Sequence, residues 1–362
     1  MLNGVIENHR NVKRRTVIQR LLQTSGGLIG ANLLISCSKA RSREPMFMLN
    51  LLDPAEPLPD HLLTPVGEFY VQSYGLPVSL DANRWQLEFT GALENPLTLS
   101  LKDILAAPQE EFYLTMECIG NQAGGDQIGN ALWQGTSLLP FLAQAQVQSE
   151  ATHFVLHGAD YYETTLPVPD VMRPDVCLVH QMNRAPLTPE HGYPVRIIIP
   201  GRFGQKQPKW LIKVEAIAKA KKGYWERQGW SNTAEIPTHG MIRQVQADRV
   251  SSRNHSVAIS KSGTEGWAEG ILIAGIALDK SSPIQAVRIS TDNGSTWHSA
   301  EQNRPTSPHE WTLWRHLWQP TQPGRYTLLA IAQTKDQVQP LSDPEKMDGS
   351  SGALKIQVNL TA

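Results

Sequence analysis

Cysteine is scarce in this chain, with three residues in 362. That is too few for a disulfide framework, so the compartment has to be read from targeting signals. A basic surplus is also missing. The 33 basic residues stand against 34 acidic ones, a formal net charge of -1, which argues against a nucleic-acid-binding protein. There is no C-x-x-C-H haem signature and no G-x-G-x-x-G nucleotide fingerprint. Any electrons handled here would therefore pass to a separate partner. No internal repeat and no low-complexity tract is visible. The longest early apolar run, Gly26 to Ile35, is too short and too rich in glycine for a membrane span.

What the chain does have begins at its N-terminus. Lys13-Arg14-Arg15-Thr16-Val17-Ile18 precedes Leu21-Leu22 and that small apolar run. A basic region followed by a short apolar one is the layout of an export signal, and paired arginines mark the twin-arginine route. The alternative is a basic, disordered tail. Leu34-Ile35-Ser36-Cys37 resembles a bacterial lipobox, in which Cys37 would become a lipid anchor; an ordinary signal end is the competing reading. The expected layout is an export signal over 1–37, a polar tether over 38–60, a catalytic domain over 61–240 and an all-β domain over 241–362. The expected location is the periplasm or cell envelope.

From Leu62 the sequence becomes globular. Trp85 to Gly91 alternates apolar and polar residues, the period of a half-buried strand. Leu99 to Leu105 reads as a short helix capped by Ser100, and Leu138 to Ala145 as a second helix. Phe112 to Met116, His153 to His157 and Val195 to Ile199 read as strands. Few short helices among strands predict an α+β domain. Beyond Pro237 short alternating strands recur, at Ser256 to Ile259, Gly270 to Leu278, Ala286 to Ser290, Tyr326 to Ala332 and Leu354 to Val358. Asp292-Asn293-Gly294 is a hairpin signal. This part reads as a sandwich of immunoglobulin type.

Cys118 stands apart from the other cysteines. It lies in Glu117-Cys118-Ile119-Gly120-Asn121, followed by Gly124-Gly125-Asp126 and Trp133-Gln134-Gly135. A thiol between an apolar strand and a glycine-rich loop can offer sulfur to a soft or high-valent metal. Taken alone, a lone Cys is more often inert core. Cys177, in the apolar stretch Asp175 to Val179, reads as that buried kind. Downstream come His191-Gly192-Tyr193-Pro194-Val195-Arg196, Pro200-Gly201-Arg202-Phe203-Gly204 and Lys209-Trp210. His191 and Arg196 can project from one loop-to-strand junction, and the arginine fork suits a phosphate. Gly201 and Gly204 would let backbone approach an anion. Lys209 adds a point charge, and Trp210 reads as packing.

Together these segments resemble the sulfite oxidase family of molybdopterin enzymes, over most of the chain from about Leu62. The family places the thiolate of C-x-G-N on molybdenum and binds the pterin with H-G-x-P-x-R, P-G-x-x-G and K-W. The resemblance implies a molybdenum-molybdopterin cofactor of the plain form, with Cys118 as metal ligand. It implies Asn121, His191, Arg196, Gly201, Gly204 and Lys209 as its other contacts. Tyr162, in Tyr161 to Pro167, aligns with the family's Tyr-x-x-Ser-x-Pro, whose tyrosine lies beside the metal; Tyr161 is the alternative by one register. Departures are equally informative. Gln72 stands where sulfite-oxidising members carry an arginine, Tyr74 where they carry a histidine, and Gln122-Ala123 where a second arginine follows C-x-G-N. Arg315, in Trp314 to Trp318, is similar to a third family arginine or else is an ordinary stacked or surface one, and Arg202 could also supply charge. Two missing charges make the pocket less suited to dianionic sulfite. The resemblance implies oxygen-atom transfer on a small-molecule substrate, either oxidation of a sulfur oxyanion or reduction of an S-oxide or N-oxide. It also implies an external electron carrier, such as a cytochrome or quinone-linked protein, and a homodimer formed through the C-terminal domain. The competing class is a binding or assembly subunit that keeps the fold without turnover, and metal content separates the two.

Overall fold

The computed structural model describes residues 56–246, 248–249, 255–260, 270–343 and 348–361. The twin arginines Arg14 and Arg15, Cys37 and most of the tether lie outside them. Residues 46–362 form one compact unit. It is mostly β, built from four five-stranded sheets, and its helices run only four to seven residues. The α+β expectation therefore overweights helix.

The first sheet runs Leu97–Ser100, Gln86–Gly91, Leu211–Ile217, His153–Gly158, Glu163–Pro167, with Gln86–Gly91 parallel to Leu211–Ile217. Alternation drives it. Leu87 and Phe89 point inward and are buried, while Gln86 and Glu88 face solvent. Phe154, Leu156, Leu166 and Val214 complete that core. Leu99 is claimed by this sheet, opposite Leu87. The first helix therefore begins two residues later than expected, at Leu101–Ala106. Ser100 caps it: its hydroxyl accepts from Asp103 N, and Asp103 Oδ2 accepts from Ser100 N at 2.7 Å.

The second sheet carries the chemistry. Glu110–Glu117 pairs with Ile128–Ser137, which pairs with Cys177–Met182; Arg196–Ile198 joins from the far side. Ile128–Ser137 is buried along nearly its whole length. Two of its glycines admit close neighbours, because a Cβ on Gly129 would meet the Phe69 ring at 2.7 Å and one on Gly135 the Leu178 carbonyl at 2.2 Å. Trp133, Leu114, Met116 and Ile198 close the core beneath Cys118, and Cys177 is buried there as expected.

The remaining two sheets come from residues after 238. One contains His239–Val245, Ile271–Leu278 and Thr312–Trp318; the other contains Ile356–Thr361, Gly324–Gln333 and Ala286–Ser290. They share one core, including Ile273, Val287, Trp314 and Leu328. The Asp292-Asn293-Gly294 turn connects Ala286–Ser290 to His298–Ser299, with Asn293 at φ 61 and Gly294 at φ 92. A further core joins these sheets to the Cys118 loop through Ile119, Phe203, Met241, Ile276 and Trp311.

Candidate active site

Cys118 follows the last residue of Glu110–Glu117, where the chain leaves the sheet and turns. Its N–H donates to Gln127 O at 2.9 Å, and its carbonyl accepts from Asn121 N at 2.9 Å. Asn121 is buried inside this turn. Its Nδ2 donates to Glu117 Oε1 at 2.9 Å, and its Oδ1 accepts from Gln127 N at 3.0 Å. Asn121 therefore shapes the loop that presents Cys118. The Cys118 thiol is half-buried, and burial pushes it up to about 11. Such a thiol holds its proton until a metal displaces it. A Cβ placed on Gly120 would lie 3.8 Å from Cys118 Sγ and 3.7 Å from Trp230 Cη2, so Trp230 walls the loop.

One strand from the C-terminal part, His239–Val245, reaches both ends of this loop. His239 Nε2 lies 3.1 Å from Glu117 Oε2. Arg243 Nη1 donates to Gly125 O at 2.8 Å and Arg243 Nη2 to Asp126 Oδ1 at 2.9 Å. Burial disfavours a charged His239, yet Glu117 and the Pro237 carbonyl outweigh it and raise the imidazole from 6.5 to about 8. The folded state thus binds this proton more tightly than the unfolded chain. Its contribution of about 2 kcal/mol is fully present below pH 6.5 and lost as pH rises through 8. Denaturant titrations across this range should show the loss, and His239→Gln should remove it. An unchanged profile in that variant would sink the assignment.

The cations gather on the other side. Arg196 is buried, and its Nη1 donates to His191 O at 3.3 Å and its Nη2 to Gln207 O at 3.1 Å. Lys209 Nζ donates to Ser73 Oγ at 2.6 Å and to Glu190 O at 2.8 Å. Burial, with Arg196 adding to it, lowers Lys209 to about 7. Burial also lowers His191 to about 4 against the pull of the Val66 carbonyl. Gly192, at φ 104, makes the cluster possible, since a Cβ there would press on Lys209 at 3.0 Å and Arg196 at 3.2 Å.

Two observations show that this cluster fits the phosphate end of a molybdopterin. Among the described residues no carboxylate acts on Arg196, and Asp160 and Glu190 only partly offset the burial of Lys209. The Arg196 Nε is also buried with no hydrogen-bond partner. An anion would satisfy that donor and reverse the mutual depression of the cations. No group of three or more His, Cys, Asp or Glu side chains among the described residues forms a metal cage. A single thiolate would then complete a metal brought in by the cofactor.

The other expected site residues have neighbours of their own within the protein. Gly201, at φ 79, makes room for the Lys280 carbonyl, 2.5 Å from where its Cβ would lie. Gly204 makes room for the Tyr70 hydroxyl, 2.9 Å from its would-be Cβ. Tyr162 donates its hydroxyl to Gln205 O at 2.6 Å, so that proton is already engaged; Tyr161 is 92% exposed. Arg202 is held by Asp170 at 2.8 Å and Glu235 at 2.9 Å. Arg315 is gripped by Glu301, through Nε at 2.8 Å and Nη2 at 2.9 Å. The arginine that touches the Cys118 loop from the C-terminal part is Arg243. Gln72 accepts from Gln127 Nε2 at 3.1 Å, which places it beside the residue that anchors Cys118. Tyr70 was not singled out from sequence, yet it lies within electrostatic reach of both Cys118 and Arg196. Burial raises its phenol well above the usual range, Cys118 adds to this, and Arg196 opposes it.

Residues 74–225 match the family described as the oxidoreductase molybdopterin binding domain. The chain is 28% identical over 361 residues to the mitochondrial sulfite oxidase of Drosophila melanogaster, covering 86% of this chain and 62% of that one. It spans 57% to 62% of the length of the animal sulfite oxidases it matches. It is 32% identical over 155 residues to the uncharacterized oxidoreductase YuiH of Bacillus subtilis, covering 43% of this chain and 76% of that protein. The sulfane dehydrogenase SoxCD of Paracoccus pantotrophus shares the fold, with a TM-score of 0.66 at 20% identity, over 83% of this chain and 84% of that one. The thiol, the cation cluster and these likenesses agree, and the chain belongs to the sulfite oxidase family of molybdopterin-binding oxidoreductases.

Proposed function

We propose that this chain is a molybdenum oxidoreductase that transfers an oxygen atom to or from a small sulfur compound and exchanges electrons with an external carrier. The observation that carries the reading is the Cys118 thiol together with the buried His191 and Arg196 and the half-buried Lys209, where the Arg196 Nε has no partner. The cofactor, once bound, supplies a metal able to cycle by two electrons. The chain supplies the rest. Cys118 offers sulfur, Arg196 and Lys209 neutralise phosphate, and the Glu117–Asn121–His239 frame fixes the loop. Trp230 and Tyr162 wall the pocket. We read the two C-terminal sheets as an immunoglobulin-like sandwich over 241–362 that pairs two copies, and the twin arginines and Cys37 as signals for the cell envelope. Sedimentation and cell fractionation test these two points.

The mouth favours an uncharged sulfur substrate, such as an S-oxide, over sulfite. Gln72 brings no charge, and Arg202 and Arg315 are already paired with carboxylates. The primary test is molybdenum and pterin content of protein matured in a host that makes the cofactor, followed by assay with sulfite and with S-oxides. Absence of both metal and pterin would replace the enzyme reading with a non-catalytic subunit. A Gln72→Arg variant should lower KM for sulfite by roughly tenfold or more, the worth of one charge-assisted hydrogen bond. Its KM for an uncharged S-oxide should stay where it was. No gain on sulfite would remove position 72 from the substrate pocket.

A further inference from the structure

Two phenols lie within electrostatic reach of Cys118, and their hydroxyls differ. Tyr162 donates to Gln205 O at 2.6 Å, a bond closed within the protein. The Tyr70 hydroxyl has no hydrogen-bond partner among the described residues. Tyr70 is half-buried, and its oxygen is open to solvent. A Cβ on Gly204 would lie 2.9 Å from that oxygen, 3.5 Å from the Glu117 carbonyl and 3.8 Å from Met116 Cγ. Glu117 ends the strand that delivers Cys118. The unpaired hydroxyl therefore lies beside the end of that strand.

The rest of Tyr70 is held in place. Glu68 N and Phe69 N both donate to Pro65 O at 2.9 Å, a turn that fixes the backbone just before it. The Tyr70 ring stacks on Phe69, with centroids 5.5 Å apart and planes at 17°. Phe69 in turn meets Trp133 edge-on at 5.9 Å and His191 at 5.7 Å. Three residues on, the Ser73 hydroxyl accepts from Lys209, so one segment runs from the thiol to the cation cluster. A fixed ring with an unused O–H suits a ligand oxygen, because the geometry is set before the ligand arrives and no internal bond has to break. Burial and Cys118 keep the phenol protonated, so it acts as a neutral donor.

We propose that the Tyr70 hydroxyl donates the hydrogen bond that grips the oxygen of an uncharged S-oxide in the pocket. The proposal rests on the oxidoreductase reading above and names its substrate contact. A neutral O–H offers direction without charge, which serves the single oxygen of an S-oxide. A dianion such as sulfite gains about twice as much from a charged donor, and Gln72 on the same segment brings no charge either. Tyr70 keeps its proton throughout. The contact therefore holds ground state and transition state alike, and its effect falls on binding and not on the rate of the bound complex.

The test uses the full, cofactor-loaded chain, its Tyr70→Phe and Tyr162→Phe variants, and methyl phenyl sulfoxide as probe. Phenylalanine at 70 keeps the ring stack and removes only the hydroxyl. Binding is measured on the oxidised protein with no electron donor present, and turnover with reduced benzyl viologen. Tyr70→Phe should raise Kd and KM about threefold to tenfold, the worth of one neutral hydrogen bond, and leave kcat within about twofold of the parent. Its Tm should not fall, because no internal bond is lost. Tyr162→Phe should lower Tm, because Gln205 O loses its donor. Unchanged Kd and KM in Tyr70→Phe, or no binding of the sulfoxide by the loaded parent, would overturn the proposal. Loss of molybdenum and pterin from Tyr70→Phe, with sulfoxide affinity per loaded chain unchanged, would assign the hydroxyl to the cofactor and overturn it too. Failure of the loaded parent to turn over either sulfite or the sulfoxide would sink the oxidoreductase reading, whereas the binding comparison would still decide Tyr70.

Discussion

Cys118→Ser should abolish metal-centred turnover while leaving most of the pterin in place. The hydroxyl is a hard donor that keeps its proton and is a poor ligand for a soft or high-valent metal. The loss should exceed the roughly 10–100-fold seen when outer partners of a ligand are removed. Retention is expected because His191, Arg196 and Lys209, which would hold the distal end of the cofactor, are positioned by bonds that do not involve the thiol. Folding should be intact, since the Cys118 backbone makes the turn bonds to Gln127 and Asn121 and its thiol is not part of the core. The checks are pterin fluorescence after extraction, the visible and paramagnetic signature of the metal, and turnover. Activity near the parent level would remove Cys118 from the metal.

The thiol and the cations were legible in the sequence because each carries a charge or a reactive atom in a short, punctuated segment. Their convergence was visible only through the family pattern, since Cys118 and Lys209 lie far apart in the chain. The glycines show the limit of such reading. Gly201 and Gly204 sit in the expected motif but make room for the Lys280 carbonyl and the Tyr70 hydroxyl, while Gly192 relieves the cation cluster. Composition cannot say which neighbour a missing Cβ admits. The strand Ile128–Ser137 gave no period-two signal because both its faces are buried and Asn130 and Gln134 interrupt its apolar residues. Asn130 is accommodated by Thr115, Leu62 and Glu310. Arg243 and His239 were missed for a related reason. They read as ordinary strand residues, and only the contact between the C-terminal sheets and the Cys118 loop gives them work.

Glu226→Gln should be the most destabilising conservative change in the region of the site. Lys206 is fully buried, and its ammonium contacts Glu226 Oε1 and the Thr165 carbonyl. Burial lowers its proton affinity, and Glu226 opposes that. Glu226 also accepts from Thr164 Oγ1 at 2.8 Å. Neutralising the carboxylate leaves a buried ammonium without its counter-charge, at a cost of about 3–5 kcal/mol, or a fall in Tm on the order of 10 °C. A surface pair would cost less than about 1 kcal/mol, so the measured value decides whether water reaches the pair. The double change Lys206→Met, Glu226→Met removes both charges and should recover most of the loss, because two apolar side chains of similar length can fill the space. The pair also ties together two segments that meet at Tyr162 and Tyr74. Lys206 follows Gln205, whose carbonyl takes the Tyr162 hydroxyl, and Glu226 lies in Tyr224–Arg227, whose Tyr224 packs on Tyr74. Glu226→Gln should therefore raise KM for the sulfur substrate at temperatures where the protein is still folded. The double variant should restore Tm more fully than KM, since packing alone returns stability but not the fixed spacing of the two segments. Equal recovery of both would mean that the pair serves stability only.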